Sequence, residues 1–170
     1  EQAYRNASKL MEAGAQIVKL EGGRWLAETI SFLSDRGIPT CAHLGLTPQS
    51  VHKLGGYKVQ GTDTKNAISI IESAKILEES GVDIVVLELI PSELGKKITK
   101  HVKIPTIGIG AGVFVDGQVL VLHDMLGLSE GHNPKFAKSF FSKGNTIEQA
   151  IRNYINAVKN KEYPSSDHSY

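Results

Sequence analysis

The sequence predicts an α/β protein with a parallel sheet, on two observations. Short apolar runs typical of buried strands alternate along the chain with amphipathic segments typical of helices. One pattern also occurs twice: a helix stops at glycine, a strand follows, and a glutamate stands seven residues after that glycine, at 14–21 and 81–88. Because such apolar strands are typical of buried parallel sheets, we expect both faces of the sheet to be covered.

The predicted elements follow in a regular order. Helices are predicted at 2–13, 24–35, 64–80, 92–101 and 146–159, and strands at 15–20, 38–43, 82–88, 104–109 and 118–122. A closed (β/α)8 barrel has eight strands, so a barrel would lack three strands on the N-terminal side. The chain also starts inside a predicted helix and without Met. We therefore expect residues 1–170 to form one partial domain of a longer protein, with a polar tail from about 161.

Composition excludes several functional classes. The net charge is +1, with 41% hydrophobic and 22% charged residues, which is ordinary for a globular enzyme. No basic stripe interleaved with aromatic residues is present, so we expect no nucleic-acid partner. No apolar run approaches the roughly 20 residues needed to cross a membrane. A single cysteine, Cys41, excludes an internal disulfide and fits a reducing compartment, so we expect a cytoplasmic protein.

The repeated glutamates, Glu21 and Glu88, are the first candidate site residues. Lys19 lies two residues before Glu21 and shares its strand face, and a buried cation beside a carboxylate requires a reason. A lone glutamate at a strand end is usually a surface charge or a helix cap. Two at equivalent strand ends favour a site that holds a metal or moves a proton. His43, on the second strand, is interpreted as a hydrogen-bonded core histidine.

Two further groups allow more than one interpretation. The glycines after the fourth strand could hold a phosphate with their backbone N–H groups or could serve tight packing, and both are equally supported: Gly108, Gly110 and Gly112. His123 and Asp124 follow the last predicted strand and could be ligands, but no spacing rule singles them out.

One chemistry unites the candidates. Mg²⁺ on a barrel rim takes one or two carboxylates, waters and oxygen atoms of the substrate. A 2-oxo acid could supply its keto and carboxylate oxygens, and a neighbouring carboxylate could remove the proton alpha to the carbonyl. Lys19 would neutralise the substrate carboxylate.

Seven segments carry a resemblance to a known family, in this order: 19–23, 42–50, 55–61, 86–88, 107–112, 116–118 and 134–136. Together they resemble the ketopantoate (3-methyl-2-oxobutanoate) hydroxymethyltransferase family of pantothenate synthesis. The resemblance extends over residues 1–169 without a gap. It is most specific from 43 to 61.

The resemblance implies a (β/α)8 TIM barrel and a transferase. Such an enzyme binds Mg²⁺ and moves a one-carbon unit from 5,10-methylenetetrahydrofolate, a folate, to 3-methyl-2-oxobutanoate, giving 2-dehydropantoate. By resemblance Lys19 binds the substrate, Glu21 associates with the metal, Glu88 accepts the proton and His43 lies near the substrate. The family also implies a homo-oligomer. Its remaining ligands, two aspartates and a serine, would precede Glu1, so the chain covers about the C-terminal two-thirds of the barrel.

Two alternatives remain open at this point. One is another Mg²⁺-dependent lyase or aldolase acting on 2-oxo acids, which would need no folate. The other is an inactive fragment that serves only in subunit association. Five strands leave an open edge and an uncovered apolar face, so we expect residues 1–170 alone to be unstable or to aggregate, without catalysis.

Overall fold

The computed structural model describes residues 1–129, 131 and 133–170. In this part of the chain five strands form one sheet in the order β1-β2-β3-β4-β5, and every pairing is parallel. The predicted α/β fold with a parallel sheet is therefore confirmed. The strands are β1 (Val18–Glu21), β2 (Thr40–Gly45), β3 (Ile84–Glu88), β4 (Thr106–Ile109) and β5 (Gly117–Gln118).

A helix lies between each pair of consecutive strands from β1 to β4, as the hydrophobic periodicity predicts. They are α1 (Gln2–Glu12), α2 (Ala27–Ser34), α3 (Thr64–Glu79), α4 (Ser92–His101), α5 (Leu122–Leu126) and α6 (Ile147–Lys159). The side chain of Asp63 caps α3 by accepting the N–H of Asn66, and Thr146 and Gln149 form a capping box at the start of α6. None of the helices described is both long and apolar enough to cross a membrane.

The helices cover one face of the sheet, and among the described residues the other face is covered only at β2, where Cys41 and His43 are buried. Val85 and Leu87 of β3 are fully buried and belong to the core formed with α2, α3 and α4. The alternate residues, Val86 and Glu88, are only partly buried, and Lys19 of β1 is exposed. An apolar strand sequence predicts that both faces meet other parts of the protein, but it does not say that helices supply both contacts.

The last predicted strand, 118–122, was also wrong in its bounds. β5 contains only Gly117 and Gln118. Val121 caps α5, which begins at Leu122, and both side chains are about half exposed. A short apolar run does not by itself distinguish a strand from the surface of a short helix.

The C-terminal segment is polar in sequence but packs against the rest of the protein. Tyr163 is 3% exposed, and its hydroxyl donates to the carbonyl of Phe136 at 2.6 Å. The N–H of Ser92 donates to the carbonyl of Tyr170 at 2.8 Å. The segment after Lys161 therefore closes one side of the molecule next to the ends of the strands.

Candidate active site

The register of the first three strands brings two glutamates to one histidine. Glu21 pairs with His43 across β1 and β2, and Gly45 pairs with Glu88 across β2 and β3. Residues two apart on a strand share a face, so all three side chains lie on the face that the helices leave uncovered. The imidazole of His43 lies between two carboxylates, with Nδ1 3.5 Å from Oε1 of Glu21 and Nε2 3.0 Å from Oε2 of Glu88.

The burial of this group is uneven. His43 is 1% exposed, whereas the side chains of Glu21 and Glu88 are each 15% exposed. Despite the short distances, neither ring nitrogen of His43 makes a well-directed hydrogen bond in the described part of the chain. His43 is therefore a core histidine, as interpreted, because its ring is buried. The expectation that it is hydrogen-bonded was wrong, because neither ring nitrogen has an aligned partner among the described residues. A buried polar atom without an aligned partner costs free energy, which makes this group a candidate site for chemistry.

The glycine-rich loop after β2 is hydrogen-bonded to both glutamates. The N–H of Gln49 donates to Oε2 of Glu21 at 3.3 Å, and the N–H of Leu46 donates to the carbonyl of Glu88 at 2.9 Å. The N–H of Gln60 donates to the carbonyl of Leu89 at 2.9 Å. The loop that follows β2 therefore holds the ends of β1 and β3 in place.

Gly45 is required for this close approach. Its φ is +90°, and a Cβ built on it would lie 2.1 Å from the carbonyl oxygen of Glu88. That distance is far below contact between non-bonded atoms, so any side chain here would push β2 and β3 apart. Glycine fits because it has no Cβ and adopts positive φ without penalty.

The backbone directly after Glu88 is strained. Leu89 has a φ of 50°, in the left-handed region that residues other than glycine rarely adopt. Its side chain is buried, and its N–H donates to the carbonyl of Ile109 at 2.9 Å. Such a conformation costs on the order of 1–3 kcal/mol and is typical of functional sites, where surrounding contacts maintain it.

Lys19 lies on the same face as Glu21 but not in the interior. It pairs with Cys41 across β1 and β2, and its side chain is exposed. Burial raises the pKa of the Cys41 thiol, and the nearby charge of Lys19 opposes that rise. The expectation of a buried cation beside Glu21 was wrong: Glu21 contacts His43, and the ammonium group of Lys19 reaches solvent.

The glycines in β4 and directly after it serve packing in this structure. A Cβ on Gly110 would lie 2.7 Å from the ring of Phe136, and one on Gly112 would lie 2.0 Å from Oγ of Ser92. A Cβ on Gly108 would lie 2.8 Å from Cγ2 of Val115. Since these positions are occupied by protein atoms, tight packing accounts for the glycines better than a phosphate cradle does.

The donor atoms suit Mg²⁺ only in part. Among the residues that the structure describes, no group of three or more His, Cys, Asp or Glu side chains is arranged to hold a metal ion. Mg²⁺ takes oxygen ligands and often binds through one or two carboxylates, with waters and substrate completing its shell. Glu21 would supply the right type of donor atom for such a partial site.

A cavity of about 650 Å³ opens beside Glu88. Asp124 lies in its wall, with Oδ1 accepting the hydroxyl of Ser129, whereas its neighbour His123 is exposed. Among the other lining residues, Tyr57, Lys135 and Tyr170 were not singled out as site candidates from the sequence. They come from distant segments, and only the resemblance over 55–61 and 134–136 marked two of them.

Fold and site together define a parallel α/β protein with a carboxylate–histidine–carboxylate group at the carboxyl ends of its strands. The sequence model of ketopantoate hydroxymethyltransferase matches residues 1–166. The chain belongs to this family.

Named relatives agree with that assignment. The 3-methyl-2-oxobutanoate hydroxymethyltransferase of Nitrosomonas eutropha is 55% identical over all 170 residues, which correspond to 63% of its length. The protein of the same name from Marinomonas sp. is 56% identical over the whole chain, which corresponds to 62% of its length. The chain thus spans somewhat less than two-thirds of these relatives.

A solved structure overlaps more weakly. It is a prophage protein of the dihydrodipicolinic acid synthase family from E. coli K12, in complex with pyruvate. The superposition covers 74% of this chain and 43% of that one, at 16% identity and a TM-score of 0.45. Nothing in the assignment rests on it.

Proposed function

We propose that the protein containing this chain is a 3-methyl-2-oxobutanoate hydroxymethyltransferase, with Glu88 as the proton acceptor. The observation that carries the proposal is the position of Glu88 and Glu21 on either side of the buried, unsatisfied His43. Membership of the family and the names of the relatives support the reaction class.

The proposed reaction balances without an oxidant or reductant. The oxo acid loses one proton from C3 and gains a CH2OH group. The carbon comes from 5,10-methylenetetrahydrofolate and the hydroxyl from water. Tetrahydrofolate leaves with both of its nitrogens protonated, one by the proton from C3 and one by the proton from water. The product is 2-dehydropantoate.

In this proposal Glu88 removes the proton from C3. It is the last residue of β3, its side chain is partly exposed, and its backbone is fixed by Leu46 and by the strained Leu89. A carboxylate held in this way can meet the substrate in one geometry, which is what a general base requires. His43 contacts the same carboxylate and restricts where it can point.

Lys19 and Glu21 are assigned the remaining contacts. The exposed ammonium of Lys19, on the same strand face, binds the carboxylate of the oxo acid by charge. Glu21 supplies an oxygen to Mg²⁺. When bound, the ion would stabilise the negative charge that forms on the keto oxygen as the C3 proton leaves.

We also propose that the complete fold is a (β/α)8 barrel. The sequential strand order and the helices on one face support this arrangement. In a barrel the uncovered face of the sheet points to the interior, and active sites lie at the carboxyl ends of the strands. Glu21, His43 and Glu88 would then lie at the rim of the barrel interior.

The experiment uses a chimera in which the N-terminal segment of the Nitrosomonas eutropha relative precedes Glu1. The chimera is supplied with Mg²⁺, 3-methyl-2-oxobutanoate and 5,10-methylenetetrahydrofolate, and 2-dehydropantoate is followed by NMR. We expect product only when the folate is present. A carbon–carbon bond cleaved or formed without folate would instead indicate a lyase or aldolase. A folded chimera that neither binds nor converts the oxo acid would contradict the proposal and favour a role in assembly.

A further inference from the structure

The cavity beside Glu88 is large enough for a second substrate. Its volume of about 650 Å³ lies within the range of roughly 300–1,000 Å³ that small-molecule sites occupy. Its lining comes from the loop after β2, from the ends of β3 and β4, from α5 and the residue before it, from 134–136 and from the C-terminal residue Tyr170. Because Glu88 lies in the wall, a molecule in the cavity is adjacent to the carboxylate that takes the C3 proton.

The lining combines apolar and aromatic surface with two further charged groups. Asp124 presents a carboxylate and Lys135 an ammonium group. Lys135 donates to the carbonyl of Ser169 and lies 5.4 Å from the centre of the Tyr170 ring, so its position is constrained. The cavity therefore suits a ligand that is largely flat and apolar and that carries both N–H donors and negative charge.

Tyr57 provides an unusual surface at the edge of this cavity. It is 75% exposed, although tyrosine usually buries most of its ring. It follows two glycines with positive φ, Gly55 and Gly56, in the loop tied to Glu21 and Glu88. An exposed aromatic ring beside a charged cavity is suited to stacking on a heterocycle.

We propose that this cavity binds the one-carbon donor through its reduced pterin. The pterin ring stacks on Tyr57, and its N–H edge, two adjacent donors, meets the carboxylate of Asp124. The carboxylates of the donor's tail are attracted to Lys135. This placement rests on the proposed function, since the donor's reactive carbon must reach the C3 atom that Glu88 deprotonates.

The test uses the chimera and tetrahydrofolate, which carries no one-carbon unit and so needs no turnover. Affinities are measured by anaerobic titration calorimetry in the presence of 3-methyl-2-oxobutanoate. We expect Tyr57→Ala to weaken tetrahydrofolate binding about tenfold, the scale of one lost stacking contact. Asp124→Asn should weaken it about tenfold or more, because a hydrogen bond to a charged group is lost.

Matched variants control for indirect effects. Tyr57→Phe keeps the ring and should remain within about twofold of the unsubstituted chimera if stacking dominates. Lys135→Gln should weaken binding, whereas Lys138→Gln should not, because Lys138 lies over Phe140 and not in the cavity lining. Binding of the oxo acid in each variant shows that it is folded. Should Asp124→Asn fail that criterion, Tyr57→Ala decides alone, since its side chain is exposed.

The proposal is overturned if tetrahydrofolate affinity is unchanged in folded Tyr57→Ala and Asp124→Asn, or if the unsubstituted chimera does not bind tetrahydrofolate. Failure of the proposed function would look different. It would show as an absence of C3 proton exchange in the unsubstituted chimera, which is measured with the oxo acid alone.

Discussion

The two edges of the sheet use their carboxylates in different ways. At the edge where strands begin, Asp83 accepts the N–H of Thr40 at 2.8 Å and Asp116 accepts the N–H of Thr106 at 2.9 Å. At the edge where strands end, Glu21 and Glu88 flank a histidine that makes no well-directed hydrogen bond within the described residues.

The difference supports the chemical role proposed for Glu21 and Glu88 and gives Asp83 and Asp116 a role in stability. A carboxylate that accepts the first N–H of a neighbouring strand stabilises the sheet and is no longer available to a substrate. Oxygens that face an unsatisfied imidazole and a cavity can change partners when a ligand binds. Barrel enzymes show the same division, with stabilising residues at one end and catalytic residues at the other.

The largest expected effect is a loss of proton exchange when Glu88, at the carboxyl end of β3, is replaced. In the chimera, Glu88→Gln should slow exchange of the C3 proton of 3-methyl-2-oxobutanoate by about 10²–10⁴-fold, because the proposed general base is removed. The rate is measured by NMR in deuterated buffer. Glu93→Gln is the control, since Glu93 is an exposed residue of α4. Exchange within threefold of the unsubstituted chimera would remove Glu88 from the role of base.

The contact between β2 and β3 is expected to matter next. Gly45→Ala should lower the free energy of unfolding by more than about 1 kcal/mol, since alanine at positive φ is strained and its Cβ would meet Glu88. Exchange of the C3 proton should fall as well, because Glu88 is displaced. Gly37→Ala is the matched control: its φ is +74°, but a Cβ there meets nothing within 4 Å. Equal losses of stability and exchange in the two variants would show that the close approach at Gly45 is unimportant.

Variants of Lys19 and Glu21 should affect different ligands, the oxo acid in one case and Mg²⁺ in the other. Lys19→Met should weaken oxo-acid affinity by about tenfold or more and leave Mg²⁺ affinity nearly unchanged, because it removes only the cation that we propose binds the substrate carboxylate. Glu21→Gln should mainly weaken Mg²⁺ binding. Calorimetric titrations of each ligand measure both affinities. The same pattern of losses in both variants would indicate that the two residues act as one unit.

The smallest effect is expected on the pH dependence of stability, from replacing His168 in the C-terminal segment. Burial lowers the pKa of its imidazole, and the charges of Lys138 and Lys135 lower it further against the opposing effect of Asp167. A histidine with a depressed pKa in the folded state stabilises the fold above its ordinary pKa of 6.5, and this contribution is lost as the pH falls. Urea unfolding should therefore show a smaller loss of stability between pH 7.5 and 5.5 in His168→Gln than in the parent. A larger loss in the variant would reverse the predicted sign.

Sequence patterns identified the two glutamates at the carboxyl ends of the strands but not the residue that they contact. Glu21 and Glu88 were found because the same helix–glycine–strand unit occurs twice. The position of His43 between them depends on the strand register, which a single sequence does not fix without its pairing partners. The left-handed Leu89 carries no sequence signal, because leucine has no preference for that conformation.

In the rest of the fold, elements with a clear hydrophobic pattern were predicted and those fixed by distant contacts were not. Strands and helices with long hydrophobic periods, such as α3 and β3, were predicted within a few residues. The short α5 and the packed C-terminal segment were not, because Tyr163 is buried by distant residues and a polar composition conceals that contact. The cavity could not be predicted for the same reason, since its walls come from six separate parts of the chain.

One measurement tests the division between the two edges most directly. Glu88→Gln and Asp116→Asn are made in the same chimera, and both the C3 proton exchange rate and the free energy of unfolding are determined for each. Asp116 receives the N–H and the hydroxyl of Thr106, which is fully buried. We expect Asp116→Asn to lower stability by roughly 1–3 kcal/mol, with exchange little affected. We expect Glu88→Gln to slow exchange by about 10²–10⁴-fold, with stability little affected. If both variants lose stability alike, or if Asp116→Asn loses exchange as Glu88→Gln does, the account of two edges with separate roles is contradicted.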